Sequence, residues 1–127
     1  MDLHHVHIFA SDIEHTLEWW QRCLGARILF DGQLAGSRNV LIGVGRGRIN
    51  IYDQAPRDSG RGAVHHIGVR VRDLRSTWRQ LQDDGATSPN GLREHAGWRY
   101  VMIEAPDGVL VELFEFDDPG SVFNEDG

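Results

Sequence analysis

Two histidines and one glutamate in this chain have the residue types and the spacing that a divalent metal site requires. His5 and His66 stand at equivalent positions of an internal repeat, and Glu112 lies near the end of the second copy. Two neutral imidazoles and one carboxylate suit Fe(II), Mn(II), Ni(II), Co(II) or Zn(II) and leave coordination positions open for substrate. One divalent ion held this way would act as a Lewis acid on a bound carbonyl, hydroxyl or enediolate oxygen.

The internal repeat indicates how the chain is organised. The segment His-His-Val-His-Ile-Phe-Ala-Ser-Asp at 4–12 returns as His-His-Ile-Gly-Val-Arg-Val-Arg-Asp at 65–73. A fixed offset of this kind is typical of two copies of one structural unit. We therefore expect one domain over 1–127, made of module one at about 3–53, a linker at about 54–62, module two at about 63–116 and an acidic tail at 117–127.

Each module has the pattern of a β-α-β-β-β unit. The first helix is expected to begin at a capping box of Ser11 and Glu14 and to end at Gly25. Asp73 caps the second helix, which ends at Gly85. Period-two alternation and turn residues predict strands at 3–10, 27–30, 39–44 and 48–52, and at 65–71, near Leu92, 98–103 and 109–116.

Alternation within the strands separates two faces of each sheet. Every second residue of a strand faces the same side of the sheet, and we call this its strand parity. Aliphatic residues such as Ile49 and Ile51 share one side, which is the face that a covering helix requires. The residues that alternate with them face the other side of the sheet, and they are a mixture of polar and aromatic side chains. Water beside the sheet would account for the polar residues but not for the aromatic ones. We therefore expect the fold class to be α+β; if the two modules pair their sheets into a curled half-barrel, the polar and aromatic face becomes the lining of a metal cleft.

On the polar and aromatic face, equivalent strands of the two modules place candidate ligands at equivalent positions. His5 and His66 come from the first strands, whereas Asn50 and Glu112 come from the last strands and lie nearly on the repeat. Asn50 either fills a fourth ligand position through its carbonyl oxygen or leaves that position to water. His7 lies two residues beyond His5, where a proton shuttle, a substrate contact and a packing role all remain open.

Further side chains on the polar and aromatic face, or in nearby loops, are candidate site residues. Aromatic residues at alternating positions also suit a packed core, so a structural role stays open for each of them. The candidates for acid or base catalysis are His7, Tyr52, His95 and Tyr100. The candidates for substrate binding are Phe9, Arg48, Asn50, Arg70, Trp98, Met102 and Phe114.

Composition and net charge limit the kinds of molecule that this protein is expected to bind. Of 127 residues, 40% are apolar and 25% are charged, which is enough to bury a core without disulfides. The single cysteine excludes an intrachain disulfide and leaves nitrogen and oxygen as metal ligands. A net charge of −6 disfavours nucleic acid. With no apolar run long enough to cross a bilayer, we expect a cytoplasmic protein that binds a small molecule and no membrane.

The repeated His-[Val/Ile]-x-[Ile/Val] motifs, together with Pro-Asp-Gly-Val-Leu-Val-Glu at 106–112, resemble the vicinal oxygen chelate superfamily. That family includes glyoxalase I, methylmalonyl-CoA epimerase, extradiol dioxygenases, fosfomycin-resistance transferases and bleomycin-resistance proteins. The resemblance implies a divalent ion at His5, His66 and Glu112, with Asn50 at the fourth position. It also implies substrates that chelate through two adjacent oxygens. A homodimer is expected, and module pairing within one chain or between two chains is left open.

Departures from the family pattern bear on the reaction. Asn50 stands where glyoxalase I and the epimerases usually have Glu or Gln, and an amide cannot take a proton from carbon at neutral pH. His95 and Glu112 fit the extradiol pattern, but Met102 stands at its tyrosine position. We therefore expect a metal-dependent isomerase, lyase or ring-cleaving dioxygenase. The alternative is a ligand-binding protein of the bleomycin-resistance type, without catalysis.

Overall fold

A computed structural model of the protein describes residues 1–58 and 62–125. The chain divides into two compact units, Met1–Gly60 and Arg61–Gly127. Parts of the predicted linker and the last two residues of the predicted tail lie outside the described residues. Among the described helices, none is long and apolar enough to cross a membrane.

Unit 1 is a four-stranded mixed sheet with one long helix. The strand order is β1-β4-β3-β2, in which β1 runs parallel to β4 and the other neighbours are antiparallel. Its elements are β1 (Val6–Phe9), α1 (Ile13–Leu24), β2 (Arg27–Leu34), β3 (Ser37–Val44) and β4 (Gly47–Tyr52).

Unit 2 repeats this topology with the order β5-β8-β7-β6, again with a parallel pair at one edge. The predicted α+β class and the β-α-β-β-β order of both modules are thereby confirmed. Both sheets are open, and the predicted half-barrel and its metal cleft stay a prediction. The elements are β5 (Ile67–Arg70), α2 (Leu74–Asp83), β6 (Arg93–His95), β7 (Trp98–Glu104) and β8 (Leu110–Phe116), with 3₁₀ turns at Pro106–Gly108 and Val122–Asn124.

The helix ends follow local capping chemistry, with one correction. Asp12, not Ser11, is the N-cap of α1, because its extended backbone lets the carboxylate accept from the backbone N–H of His15 at 3.1 Å. Glu14 consequently stands at the second rather than the third position of the helix, and it forms an ion pair with Arg38. Asp73 caps α2 in the same way through the N–H of Ser76, as predicted.

Each helix covers the aliphatic face of its own sheet, as the strand parity predicts. In unit 1, Trp20, Ile42 and Ile51 are fully buried, and in unit 2 Leu74 and Leu113 are fully buried. Polar and aromatic side chains occupy the opposite face of each sheet, which we call the open face. Residues that pair across neighbouring strands share a face, so strand register identifies the neighbours of each candidate site residue.

The buried Arg99, near the start of β7, forms ion pairs with two carboxylates near the end of β8, and this cluster predicts acid sensitivity. Its guanidinium contacts the carboxylates of Glu115 at 3.0 Å and Asp117 at 2.9 Å. These hydrogen bonds hold the pKa of Asp117 below its ordinary value. A carboxyl with a lowered pKa stabilises the folded state above its unfolded pKa of about 3.9 and loses that contribution as the pH falls through the folded value.

We therefore expect the free energy of unfolding to fall as the pH drops below about 4, and the Asp117→Asn variant to show a shallower fall. Urea unfolding at pH 6, 5, 4 and 3 measures this dependence. The exposed Asp2→Asn variant is the control and should follow the wild type. Parallel pH profiles for Asp117→Asn and the wild type would contradict the prediction.

Candidate functional site

The open face of unit 2 brings one predicted histidine ligand next to the predicted carboxylate ligand. His66 immediately precedes β5, and Gly68 on that strand lies directly opposite Glu112 on β8. His66 and Gly68 are two residues apart, so both project toward the open face. The Nε2 atom of His66 consequently lies 3.8 Å from Oε1 of Glu112, and both side chains remain partly exposed.

This separation fits a shared divalent ion better than a hydrogen bond. A distance of 3.8 Å is too long for an N–H···O bond. Two ligand bonds of about 2.1 Å to one ion place the nitrogen and the oxygen roughly 3 to 4 Å apart, depending on the angle at the metal. The pair of donors, an imidazole nitrogen and a carboxylate oxygen, also suits the first-row divalent metals.

The immediate neighbours of Glu112 leave its carboxylate accessible. Gly68 faces it from β5, and Met102 faces it from β7. Neither side chain offers a strong hydrogen-bond donor. Phe114 is the next open-face residue along β8, opposite Arg70. The sequence candidates Met102, Phe114 and Arg70 thus share the face of Glu112.

A second histidine contacts each predicted histidine ligand through its Nδ1 atom. The Nδ1 atoms of His65 and His66 lie 2.9 Å apart, and those of His4 and His5 lie 2.9 Å apart as well. The ring centroids are separated by 5.2 Å in both pairs. A proton carried on Nδ1 of His66 and donated to His65 leaves Nε2 with the lone pair that metal binding needs.

In unit 1, a chain of amides fixes the hydrogen bonding of His7. Asn39 donates both amide hydrogens to the carbonyls of Leu34 and Ser37 at 3.1 Å, so its own oxygen must accept. It accepts from the amide nitrogen of Asn50 at 2.8 Å. The same nitrogen of Asn50 lies 3.1 Å from Nδ1 of His7, which therefore acts as the acceptor. Neutral His7 consequently carries its proton on Nε2.

His7 loses its proton at a lower pH than an ordinary histidine does, because its pKa is lowered. Partial burial disfavours its charged form, and the positive charge of nearby His5 adds to the effect, so the pKa of His7 is lowered. Its ring lies against Tyr52, with centroids 5.0 Å apart, and Phe9 packs beside Tyr52 on the same face. Around neutral pH, His7 thus offers a hydrogen-bond donor at Nε2, and its Nδ1 is occupied by Asn50.

The open face of unit 2 also carries a row of nearly parallel aromatic rings. Trp98 stacks on His95 with centroids 4.6 Å apart, and on Phe116 with centroids 5.3 Å apart. Phe116 stacks on Phe123 at 4.6 Å. Tyr100 lies parallel to Trp98, at 5.4 Å. The predicted candidates His95, Trp98 and Tyr100 therefore form one aromatic surface.

Sequence reasoning missed three residues that belong to these clusters. Asn39 stands in a predicted strand, and as a buried amide it has to find partners. Phe116 lies four residues beyond Glu112, so strand parity identifies its face. Phe123 lies in the predicted tail, where no periodicity signals its contact with Phe116.

The predicted ligands are divided between the two units, with His66 and Glu112 in unit 2 and His5 and Asn50 in unit 1. Across residues 1–58 and 62–125, no three His, Cys, Asp or Glu side chains converge so that they could hold a metal ion. His66 and Glu112 approach one another within unit 2. His5 precedes β1 just as His66 precedes β5 and stays a predicted ligand, as does Asn50 at the fourth position.

Most of the chain matches the profile of a known protein family. The profile of the Glyoxalase/Bleomycin resistance protein/Dioxygenase superfamily matches residues 2–113. A relative from Bacillus subtilis (strain 168), named "Putative ring-cleaving dioxygenase MhqA", is 33% identical over 73 residues, which are 55% of this chain. The matched region spans only 23% of the length of that relative.

Solved structures share the fold at low sequence identity. TnmS3, an antibiotic binding protein from Streptomyces sp. CB03234, superimposes with a TM-score of 0.77 and 19% identity over 91% of this chain and 96% of its own. The fosfomycin resistance protein FosX from Listeria monocytogenes, solved with Mn(II) and sulfate, gives a TM-score of 0.73 and 15% identity over 97% and 95%. At these identities the similarity shows the fold alone.

Proposed function

Since the chain belongs to the Glyoxalase/Bleomycin resistance protein/Dioxygenase superfamily, we propose that it is a divalent-metal-dependent enzyme acting on a small oxygen-chelating molecule. The proposed protein ligands are His66, Glu112 and His5, with Asn50 or water at the fourth position. The approach of His66 to Glu112, 3.8 Å apart on an accessible open face, carries this proposal. The Mn(II) found in FosX, which has the same fold, supports it.

Within this class, we favour ring-cleaving dioxygenation of a catechol-like substrate. The Bacillus subtilis relative bears that description, and the aromatic row, which lies one to two open-face positions along the strands from Glu112, suits a planar ring. The metal, when bound, would supply a Lewis acid for two adjacent substrate oxygens. Asn50 offers no base for abstracting a proton from carbon, which disfavours an isomerase of the glyoxalase I type.

His7 and the aromatic residues supply the remaining functions of the proposed site. The Nε2–H of His7 can donate to a substrate oxygen, because Asn50 holds its Nδ1 as an acceptor. Tyr52 and Phe9 keep the His7 ring in place by packing on it. In unit 2, Trp98 and Phe116 present apolar surface to a ring.

Anaerobic reconstitution with Fe(II) or Mn(II), followed by oxygen uptake with a panel of catechols and hydroquinones, tests this reaction. We expect metal-dependent oxygen consumption with at least one catechol and no turnover of a glyoxalase I hemithioacetal. Absence of uptake across the panel with both metals would refute ring cleavage. Turnover of the hemithioacetal would instead place the protein among the isomerases and lyases.

The competing function is ligand binding without catalysis. The likeness to the antibiotic-binding protein TnmS3 and the stacked rings of unit 2 favour it. Such a protein would bind a planar aromatic drug equally well in the presence and absence of EDTA. Calorimetric titration with and without EDTA separates the two functions, since the enzyme requires metal for its chelating substrate.

The proposed function makes a prediction about His65. Because this residue contacts Nδ1 of His66 at 2.9 Å, we expect His65→Phe to weaken Mn(II) binding by about 10-fold or more, as the loss of a partner behind a metal-binding histidine typically does. Titration monitored by the EPR signal of free Mn(II) measures the change. His15→Phe, on the exposed surface of α1, is the matched control. Equal affinity in His65→Phe and the wild type would contradict the assigned role.

A further inference from the structure

One row of residues on the open face of unit 1 runs from two polar side chains, His7 and Asn50, onto apolar ones. We call His7 and Asn50 the polar pair. Strand register places His7 opposite Asn50 and Asn50 opposite Leu41, and Leu41 in turn lies opposite Phe30 on β2. Because neighbouring strands are about 4.8 Å apart, Leu41 lies about 5 Å and Phe30 about 10 Å across the sheet from Asn50.

The polar pair presents one hydrogen-bond acceptor and one donor to the open face. Asn50 uses its two amide hydrogens on Asn39 at 2.8 Å and on His7 at 3.1 Å. Within residues 1–58 and 62–125, neither the carbonyl oxygen of Asn50 nor the Nε2–H of His7 has a hydrogen-bond partner. A hydroxyl group both donates and accepts, so one hydroxyl can satisfy both atoms.

Two glycines allow apolar side chains to lie down over the sheet beside Leu41. The ring of Phe30 covers Gly32, where a Cβ atom would stand 2.8 Å from the phenylalanine Cζ atom. Leu29, at the bulge of β2, covers Gly43, where a Cβ atom would stand 3.2 Å from the leucine Cδ1 atom. We call Leu29, Phe30 and Leu41 the apolar floor. Since Leu29 and Phe30 remain 45% and 42% exposed, the floor offers apolar surface to a ligand.

We propose that the polar pair and the apolar floor together bind an alkyl-substituted phenol, whose hydroxyl group donates to Asn50 and accepts from His7 while its ring and alkyl group lie on the floor. The continuity of the row carries this assignment, because the apolar surface begins at the residue directly opposite Asn50. Asn50 then binds substrate, and the fourth metal position is left to water. The site deepens the proposed function, on which it rests for the reaction, by naming the substrate as an alkyl-substituted phenolic compound.

The hydroxyl half of the site is tested with 4-ethylphenol and 4-ethylanisole in the full-length protein, with EDTA present. The methyl ether cannot donate to Asn50, so we expect 4-ethylphenol to bind about 3- to 10-fold more tightly by calorimetry. Asn50→Leu and His7→Phe should each remove most of this preference. Gln33→Leu removes an exposed amide from the other face of the same sheet and should leave the preference intact.

The apolar half is tested with phenol, which lacks the alkyl group. We expect phenol to bind about 10-fold more weakly than 4-ethylphenol, because two further carbon atoms are buried in the complex with 4-ethylphenol. Leu41→Asn should remove most of this difference and keep the preference for hydroxyl over ether. Ile28→Asn, on β2 opposite the buried Ile42, changes the helix-covered face instead and should leave both preferences intact. In methyl NMR spectra, 4-ethylphenol should shift the signals of Leu29 and Leu41.

Equal affinities for 4-ethylphenol and 4-ethylanisole, no measurable binding of either, or methyl shifts confined to unit 2 would overturn the site. Equal losses in Leu41→Asn and Ile28→Asn would overturn the role of the floor. If a second copy of the chain covers the floor instead, Leu41→Asn should have a lower mass than the wild type by light scattering, and this result would also overturn the proposal. Because these experiments omit metal and measure binding alone, they succeed or fail independently of the proposed metal chemistry.

Discussion

The Glu112→Gln variant is expected to bind Mn(II) at least about 100-fold more weakly than the wild type and to lose metal-dependent turnover. Glutamine keeps the shape of glutamate but removes the negative charge that pairs with a divalent cation. Loss of a residue that hydrogen-bonds to a metal ligand typically lowers metal affinity 10- to 100-fold, so loss of a ligand itself should lower it at least as much. Titration calorimetry with Mn(II) measures the difference.

Glu104→Gln is the matched control for this variant. Glu104 lies at the end of β7 and is exposed, so its substitution makes the same change of charge on the same sheet. We expect this control to bind Mn(II) like the wild type. If both variants weaken binding equally, a general electrostatic effect rather than ligation would explain the result.

The Trp20→Ala variant is expected to lower the free energy of unfolding by about 3 to 5 kcal/mol. Trp20 is fully buried where α1 covers the aliphatic face of the unit 1 sheet. Removing the indole leaves a cavity, which a close-packed core can close only in part. Urea unfolding monitored by circular dichroism measures the loss.

Trp20→Phe should cost less than Trp20→Ala, because it keeps most of the ring volume. The indole N–H of Trp20 has no hydrogen-bond partner within the described chain, so phenylalanine also removes an unsatisfied donor. A loss below about 1 kcal/mol for Trp20→Ala would show that α1 packs more loosely than its burial indicates.

Much of the fold was predictable because its signals are local. The repeat reveals two units, and Gly25 and Asp73 mark helix ends through backbone conformation and capping. Strand parity separates the helix-covered face from the open face, which identifies the neighbours of Glu112. The N-cap of α1 was predicted wrongly, because Ser11 and Asp12 are both good caps and only the backbone conformation selects between them.

The candidate site was predictable only in part, because its contacts depend on side chains that are distant in sequence. The alternation of residues along the strands places Asn50 and His7 on one face. The hydrogen bond from Asn50 to Asn39, however, depends on the turn at the start of β3. Phe123 is further from any sequence pattern, since it lies in the predicted tail and contacts Phe114 and Phe116 on β8 without a periodicity that would signal it. The role of His5 as a ligand stays a prediction.

Elemental analysis of protein purified without chelators tests the central claim most directly, when the wild type is compared with His5→Ala and His66→Ala. We expect about one divalent ion per chain in the wild type and little metal in either variant, since three protein ligands hold such ions far better than two. Equal, substoichiometric metal in all three proteins would contradict it.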